Sequence, residues 1–324
     1  MRGIALALML AGRTATTAAA EPPAASAQEA QEERWLAVTL DNDVIVRQDR
    51  HYTSGFQIAF PLGRNTLPTA LRGSNDSDIV VALGQRIYTP TNITLASPDP
   101  ADRPYAGWLY LLADMTTRSG HSIDHITASL GVIGPASLAR GTQDLIHKVL
   151  NQVPPKGWDA QLKNEPALLL GCDRAWPALA AGTAGGQQWD FSPRVGITAG
   201  NVLTYASAGM VARLGQGLPA DLAATRVSLG PAADSYRGAA GNAGWHVWLG
   251  AEARAVARNI FLDGNSGRDG PRVQREKFGY DALAGFATAW REWAGSFSVV
   301  RRSREFKGQA SPDTFGQLTV SLAY

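Results

Sequence analysis

The chain has 324 residues, 45% of them apolar and 18% charged, with a formal net charge of +2. So even a balance gives no grip on a nucleic-acid backbone, and the single Cys172 excludes an intramolecular disulfide framework. No stretch approaches ~20 consecutive apolar residues, which excludes a membrane-spanning helix.

In chain order, Arg2 precedes a short apolar run from Ile4 to Leu10, then small residues with cleavage expected after Ala20 or Ala27. Residues 1–27 read as a secretory signal peptide with its cleavage region, and 28–33 as a flexible leader. Residues 34–324 read as one domain of alternating strands. Twelve segments are expected: 34–43, 52–62, 78–88, 106–116, 123–133, 165–176, 188–200, 202–214, 244–258, 277–289, 293–306 and 313–324. The last is the clearest. Leu318, Val320, Leu322 and Tyr324 alternate with Gln317, Thr319, Ser321 and Ala323. An apolar face opposite a small polar face fits a soluble sandwich or the closing strand of a membrane barrel.

With the signal peptide and an even strand count, the fold class is all-β: an antiparallel transmembrane β-barrel of about 12 strands. Nine Trp and eight Tyr could supply its interfacial girdles. The connections 44–51, 89–105, 134–164 and 259–276 then face outside, and 215–243 is a long inward connection. Within 134–164, Leu138, Leu145, Ile146, Val149 and Leu150 recur at helical spacing. Pro135 precedes them and Pro154-Pro155 follow, so an extracellular loop helix is expected over Ala136–Leu150.

Two places carry chemistry. In the first hairpin, alternation puts Asp41 and Asp43 on the polar face of one strand, with Thr53, Gly55 and Gln57 on the polar face of the next. Asp43 and Thr53 near each other at the rim suit a hard cation such as Ca²⁺, or equally a polar hairpin cap. In the loop helix, Gln143 and Asp144 precede His147 by four and three residues, so all three can share a flank. A carboxylate or amide beside an imidazole fixes its tautomer for general-base work; the alternative is a solvated helix histidine. His51, His121, His125 and His246 read as rim, turn or wall residues. Ser54 shares the parity of Phe56 and Ile58, so it points toward lipid, and it leaves a serine nucleophile open. Arg301, Arg302 and Arg304 form a basic patch suited to phosphate groups, or simply a solvated strand end. No GxSxG elbow, HExxH, CxxC or phosphate loop is present.

Together these segments resemble the outer-membrane lipid A 3-O-deacylase (LpxR-type) family. The resemblance is carried by Asn42-Asp43, Asp49-Arg50, Tyr52-Thr-Ser-Gly55, Gln85, Ile87-Tyr-Thr-Pro90 and Asp102-Arg-Pro-Tyr105. It continues through Gly131-Val-Ile-Gly-Pro135, Gln143, His147, Trp158, Gln161 and Asn164. It implies a twelve-stranded outer-membrane barrel that releases the 3′-linked acyloxyacyl chain of lipid A with Ca²⁺; a monomer is expected. By the same resemblance His147 is the base, Asp43 and Thr53 hold the metal, and Asn42 sits beside them. Two positions depart from the family pattern. Its active-site Lys, expected after Tyr88-Thr-Pro90, is missing, because the first Lys of the chain is Lys148. An acidic residue expected shortly after the His falls near Val153. Arg103 is the candidate substitute for the cation, and Asp144 or Glu165 for the carboxylate. Competing functions are a phospholipase-like acyl hydrolase, a catalytically impaired lipopolysaccharide-binding barrel and, less favoured, a pore.

Overall fold

The computed structural model describes residues 34–42, 51–62, 77–225 and 243–324. The expected signal peptide and leader, Asp43, and most of the expected inward connection 215–243 lie outside those residues.

Thirteen strands form one antiparallel sheet. They are β1 (Trp35–Asn42), β2 (His51–Pro61), β3 (Ser77–Thr89), β4 (Ala106–Ser119), β5 (Ser122–Ile133), β6 (Glu165–Ala175) and β7 (Ala180–Ala184). There follow β8 (Gln187–Gly200), β9 (Leu203–Gln216), β10 (Gly244–Asn259), β11 (Phe278–Trp290), β12 (Trp293–Arg302) and β13 (Asp313–Ala323). β1 pairs with β13, and β6 reaches past β7 to pair with β8, so twelve strands close into a barrel. The thirteenth, β7, is a five-residue arm hydrogen-bonded only to the start of β8. It escaped the sequence reading because its Ala-Ala-Gly-Thr-Ala carries no apolar alternation. β12 ends at Arg302, four residues before the expected limit; beyond it only an isolated bridge joins Arg275 to Phe306.

Parity around the wall follows the sequence pattern. Leu36 and Leu40 of β1, Phe56 and Phe60 of β2, and Leu318 and Val320 of β13 are exposed on the outer, lipid face. Between them Thr39, Gln57, Thr319 and Ser321 are buried in the lumen, where the Thr39 and Thr319 hydroxyls meet at 3.0 Å across the closing pair. Cys172 lies exposed on β6, as a small wall residue should.

Ion pairs fill the lumen. Asp281 accepts from Arg254 at 2.6 Å and Arg302 at 3.0 Å, Asp190 pairs with Arg213 at 2.6 Å, and Glu252 with Arg194 at 2.7 Å. One mouth is closed by α2 (Ile260–Asp263), a single turn hidden in the 259–276 connection. Its Phe261 stacks on Tyr88 at 4.0 Å between ring centroids and lies 5.9 Å from Trp108. The aromatic residues divide between the lumen and the rims, with Phe278 and Tyr280 exposed toward the end where α1 lies. Trp35, Trp108, Trp158, Trp248, Tyr52 and Tyr88 are buried, while the exposed Trp189, Trp290 and Trp293 gather at the opposite rim.

Leu318 sits midway along β13, facing lipid between Leu40 and Phe297. An Arg at a mid-membrane wall position costs roughly 2–4 kcal/mol. Leu318→Arg is expected to lower the unfolding free energy by that amount in a denaturant titration of the barrel in lipid, and an unchanged midpoint would place this face away from lipid.

Candidate active site

The connection from β5 to β6 is built on tight backbone contacts. Gly134 has φ +92°, and a Cβ there would meet the Lys163 carbonyl carbon at 2.6 Å, so no other residue fits. A 3-10 turn over Pro135–Ser137 follows, fixed by Ser137 Oγ donating to the Gly134 carbonyl at 2.6 Å and by Gln85 Nε2 donating to the Ser137 carbonyl at 2.7 Å. The Asn164 side chain accepts from the Ala136 N–H at 2.7 Å. The helix α1 then runs over Ala139–Val149, shorter at both ends than the expected Ala136–Leu150.

Its position is decided by Gly107. The outward side of Gly107 on β4 is filled by Ser137 Oγ and the Ala139 methyl, in the space a Cβ would need. Ile87, on the lipid face of β3, is buried with Ala139, Tyr105, Trp158 and Ile93 in a cluster separate from the lumen core. So α1 lies on the lipid side of the wall, while α2 closes the mouth. Strand register extends this row. Gly107 pairs with Ile87, Ile87 with Ser54, and Ser54 with Asn42. Asn42 thus shares the lipid side of the wall with α1.

The helix is polar inside and apolar outside. Ala139, Gln143 and His147, four residues apart, form its buried stripe. Leu145, Val149 and Leu150 are exposed, as is Val153 just beyond them. Gln143 Oε1 accepts from Trp158 Nε1 at 2.8 Å, and Trp158 packs on Tyr105 with centroids 5.0 Å apart. His147 Nδ1 lies 2.6 Å from the Val153 carbonyl oxygen. A carbonyl only accepts, so Nδ1 carries the proton, and the neutral ring presents its lone pair at Nε2.

This corrects part of the sequence reading. Asp144 does not flank the imidazole; it is half exposed and lies 4.0 Å from Arg140. The orienting acceptor comes from the backbone of Val153, near where the resemblance led to the expectation of an acidic side chain. Side-chain identity carried no signal for it. Glu165 is held elsewhere, accepting from Asn201, Asn265 and the Ser266 N–H. Arg103 is buried with its guanidinium over the Tyr88 ring at 5.1 Å and 3.3 Å from Glu305, on the plug side of the wall rather than the helix side. In the first hairpin a bulge interrupts the alternation. Register shifts between Tyr52 and Ser54, Tyr52 turns into the lumen to donate to Asp41 at 2.6 Å, and Thr53 becomes the extra residue. Ser54 keeps the expected lipid parity. His125 bonds Asp114 and His246 packs on Trp248, both toward the far rim. Among the described residues no three acidic, His or Cys side chains cluster as a metal site.

A closed twelve-strand barrel with a lipid-facing wall, and a buried histidine outside that wall, defines the class: an outer-membrane β-barrel protein. The family described as "Outer membrane protein LpxR" matches residues 6–324, and the chain belongs to it. Membership makes the protein an outer-membrane, lipid A-related enzyme. Among solved structures, LpxR from Salmonella typhimurium superposes with a TM-score of 0.74 at 18% identity, over 89% of this chain and 99% of that one. An outer-membrane channel from Pseudomonas putida F1 reaches 0.41 at 10% identity over 90% and 96%. The translocator domain of the autotransporter NalP from Neisseria meningitidis reaches 0.38 at 11% over 90% and 88%, and neither of these two bears on the site. No curated protein sequence matches the chain.

If Gly107 sets the seat of α1, Gly107→Val is expected to speed amide exchange across 135–149 by at least about tenfold while leaving β8–β13 protected, since the two regions open as separate units. Uniform exchange across both would show that the helix is not held there.

Proposed function

We propose that the protein is a lipid A 3-O-deacylase in which His147 activates water against the ester of the 3′-linked acyloxyacyl chain. The observation that carries this is the placement of α1 on the lipid side of the wall with His147 facing the wall. A base in the lumen would require the lipid to leave its leaflet; a base here does not. The exposed Leu145, Val149, Leu150 and Val153 offer acyl chains an apolar surface beside it.

The chemistry runs through His147 Nε2. It takes a proton from water as the oxygen attacks the ester carbonyl carbon, forming a tetrahedral intermediate. The bond from the acyl carbon to the 3′ oxygen then breaks, and the imidazolium returns the proton to that oxygen as it departs on the sugar. The products are a free hydroxyl on the sugar and the released acid. The Val153 carbonyl supports the positive charge on the ring during the step and fixes the tautomer that leaves the lone pair on Nε2. Gln143, fixed by Trp158, holds the neighbouring turn of the helix.

Asn42, Asp43 and Thr53 fit a hard cation by their chemistry, which is amide, carboxylate and hydroxyl oxygens, and the Asn42–Ser54 pair sets the backbones of Asn42 and Ser54 side by side. The bulge frees Thr53 from the β2–β3 ladder, which suits a ligand position. Bound there, Ca²⁺ would polarise the ester carbonyl and stabilise the oxyanion. That role is the more important because the family's Lys has no counterpart and Arg103 points elsewhere.

The test is mass spectrometry of lipid A from cells expressing the protein. Wild type is expected to remove the acyloxyacyl mass, and His147→Ala to lower the rate by about 10²–10⁴-fold, the usual worth of a general base. An unchanged lipid A with wild type, the barrel being present in the outer membrane, would sink the reading.

Ser54 offers a candidate nucleophile on this side of the wall, but the imidazole Nδ1 bonds the Val153 carbonyl. Ser54→Ala is therefore expected to keep full activity; its loss would favour the phospholipase-like, serine-based route. For the metal, calorimetric titration with Ca²⁺ is expected to show binding to wild type that Asp43→Ala weakens by about tenfold or more, as for loss of one charged oxygen ligand. Equal affinity would remove Asp43 from the site.

A further inference from the structure

The three arginines of the basic patch do not act together. Arg302 points into the lumen and is spent on Asp281. Arg301 and Arg304 are exposed, and neither makes an ion pair among the described residues. The contrast with the lumen matters: there Arg194, Arg213, Arg254 and Arg302 each meet a carboxylate. Arg301 stands on the lipid face opposite Ala282, diagonal to Tyr280. Arg304 lines a shallow groove of about 590 Å³ with Phe278, Tyr280, Ser303 and Pro312. Phe278 and Tyr280 are 77% and 59% exposed, which in water would be costly for two aromatic residues side by side. Glu276 also borders the groove, but its carboxylate pairs with Lys307 at 2.9 Å.

We propose that this groove is a second lipid site: Arg301 and Arg304 hold a phosphate of a phosphorylated lipid A molecule, whose acyl chain lies over Phe278 and Tyr280. β12 ends at the same rim as β5, from which α1 springs, so the groove is at headgroup depth in the same leaflet as the catalytic helix. β12 is separated by β2, β1 and β13 from β3, against which α1 lies, and by β13 alone from β1, which carries Asn42, so the groove neighbours the catalytic site rather than forming part of it. Rings at headgroup level with arginine forks beside them match a phosphorylated amphiphile, since the guanidinium binds phosphate through paired donors. An unpaired arginine on a barrel's lipid face also needs an anion to be accommodated near the interface. The proposal rests on the same orientation as the proposed function, with the α1 rim in the outer leaflet.

The test uses the full barrel carrying His147→Ala, so that bound lipid is not turned over, with and without Arg301→Gln/Arg304→Gln. Native mass spectrometry is run with bisphosphorylated lipid A, with dephosphorylated lipid A and with inorganic phosphate. The arginine pair is expected to account for at least about a tenfold difference in affinity for one bound bisphosphorylated molecule, as for two charge-assisted contacts. Dephosphorylated lipid A should bind alike to both proteins, and millimolar inorganic phosphate should not occupy the site. Equal retention of bisphosphorylated lipid A, or phosphate binding as tightly as the lipid, overturns the proposal. Where the double variant fails to fold, Arg304→Gln alone, outside the strand, carries the same comparison. With His147 intact, the double variant is expected to deacylate lipid A in detergent at the wild-type rate; a loss would assign the arginines to the catalytic site and also overturn it. Failure of wild type to deacylate lipid A leaves the mass-spectrometric reading intact, so the two hypotheses fail separately.

Discussion

Closure of the backbone hydrogen-bond ladder governs this molecule. In hydrocarbon an unpaired N–H or C=O costs several kcal/mol, so a sheet survives there only if its first and last strands meet. Here β1 meets β13 and β6 reaches around β7 to β8. Once closed, each residue of the wall has one of two fates, lipid or lumen. Leucines and phenylalanines take the first; threonines, serines and arginine–carboxylate pairs take the second. The special features of the site are local departures from that binary rule. Gly107 lets a helix sit where a wall side chain would stand, and the bulge at Thr53 turns Tyr52 inward.

Two helices with similar origins thereby acquire opposite tasks. α2 carries Ile260, Phe261 and Leu262 into the mouth and packs on lumen aromatics. α1 carries a polar stripe toward the outside of the wall and leaves leucines exposed. The reversed polarity of α1 makes sense only in a lipid setting. In water its apolar face would turn inward, and the histidine would be lost to solvent.

Much of this was legible in the sequence because a barrel writes its two environments in period two. The ten closing residues, the parity of Leu36 to Leu40 and the existence of a loop helix all follow from alternation and proline punctuation. What escaped had no such signature. β7 is a run of small residues, α2 is too short for periodicity, and the bulge is a backbone count that side chains do not announce. The stripe of Gln143 and His147 was readable from spacing, but Asp144 was read onto the same flank although three residues and four residues apart diverge once a helix has chosen its face. The orienting group of His147 is a carbonyl oxygen, which every residue possesses; no sequence marks which one is used. The wall arginines show the same limit. Arg301, Arg302 and Arg304 look like one cluster in the chain, and only strand parity separates the paired one from the two left exposed.

The plug at the mouth has a consequence for the cell rather than for the reaction. Phe261 stacked on Tyr88 and the ion pairs below it occupy the space a solute would need. In the proposed reaction the ester is cleaved outside the wall, so nothing is gained by keeping the interior open. Copies of this protein in the outer membrane then add a wall and no open pore through the described lumen.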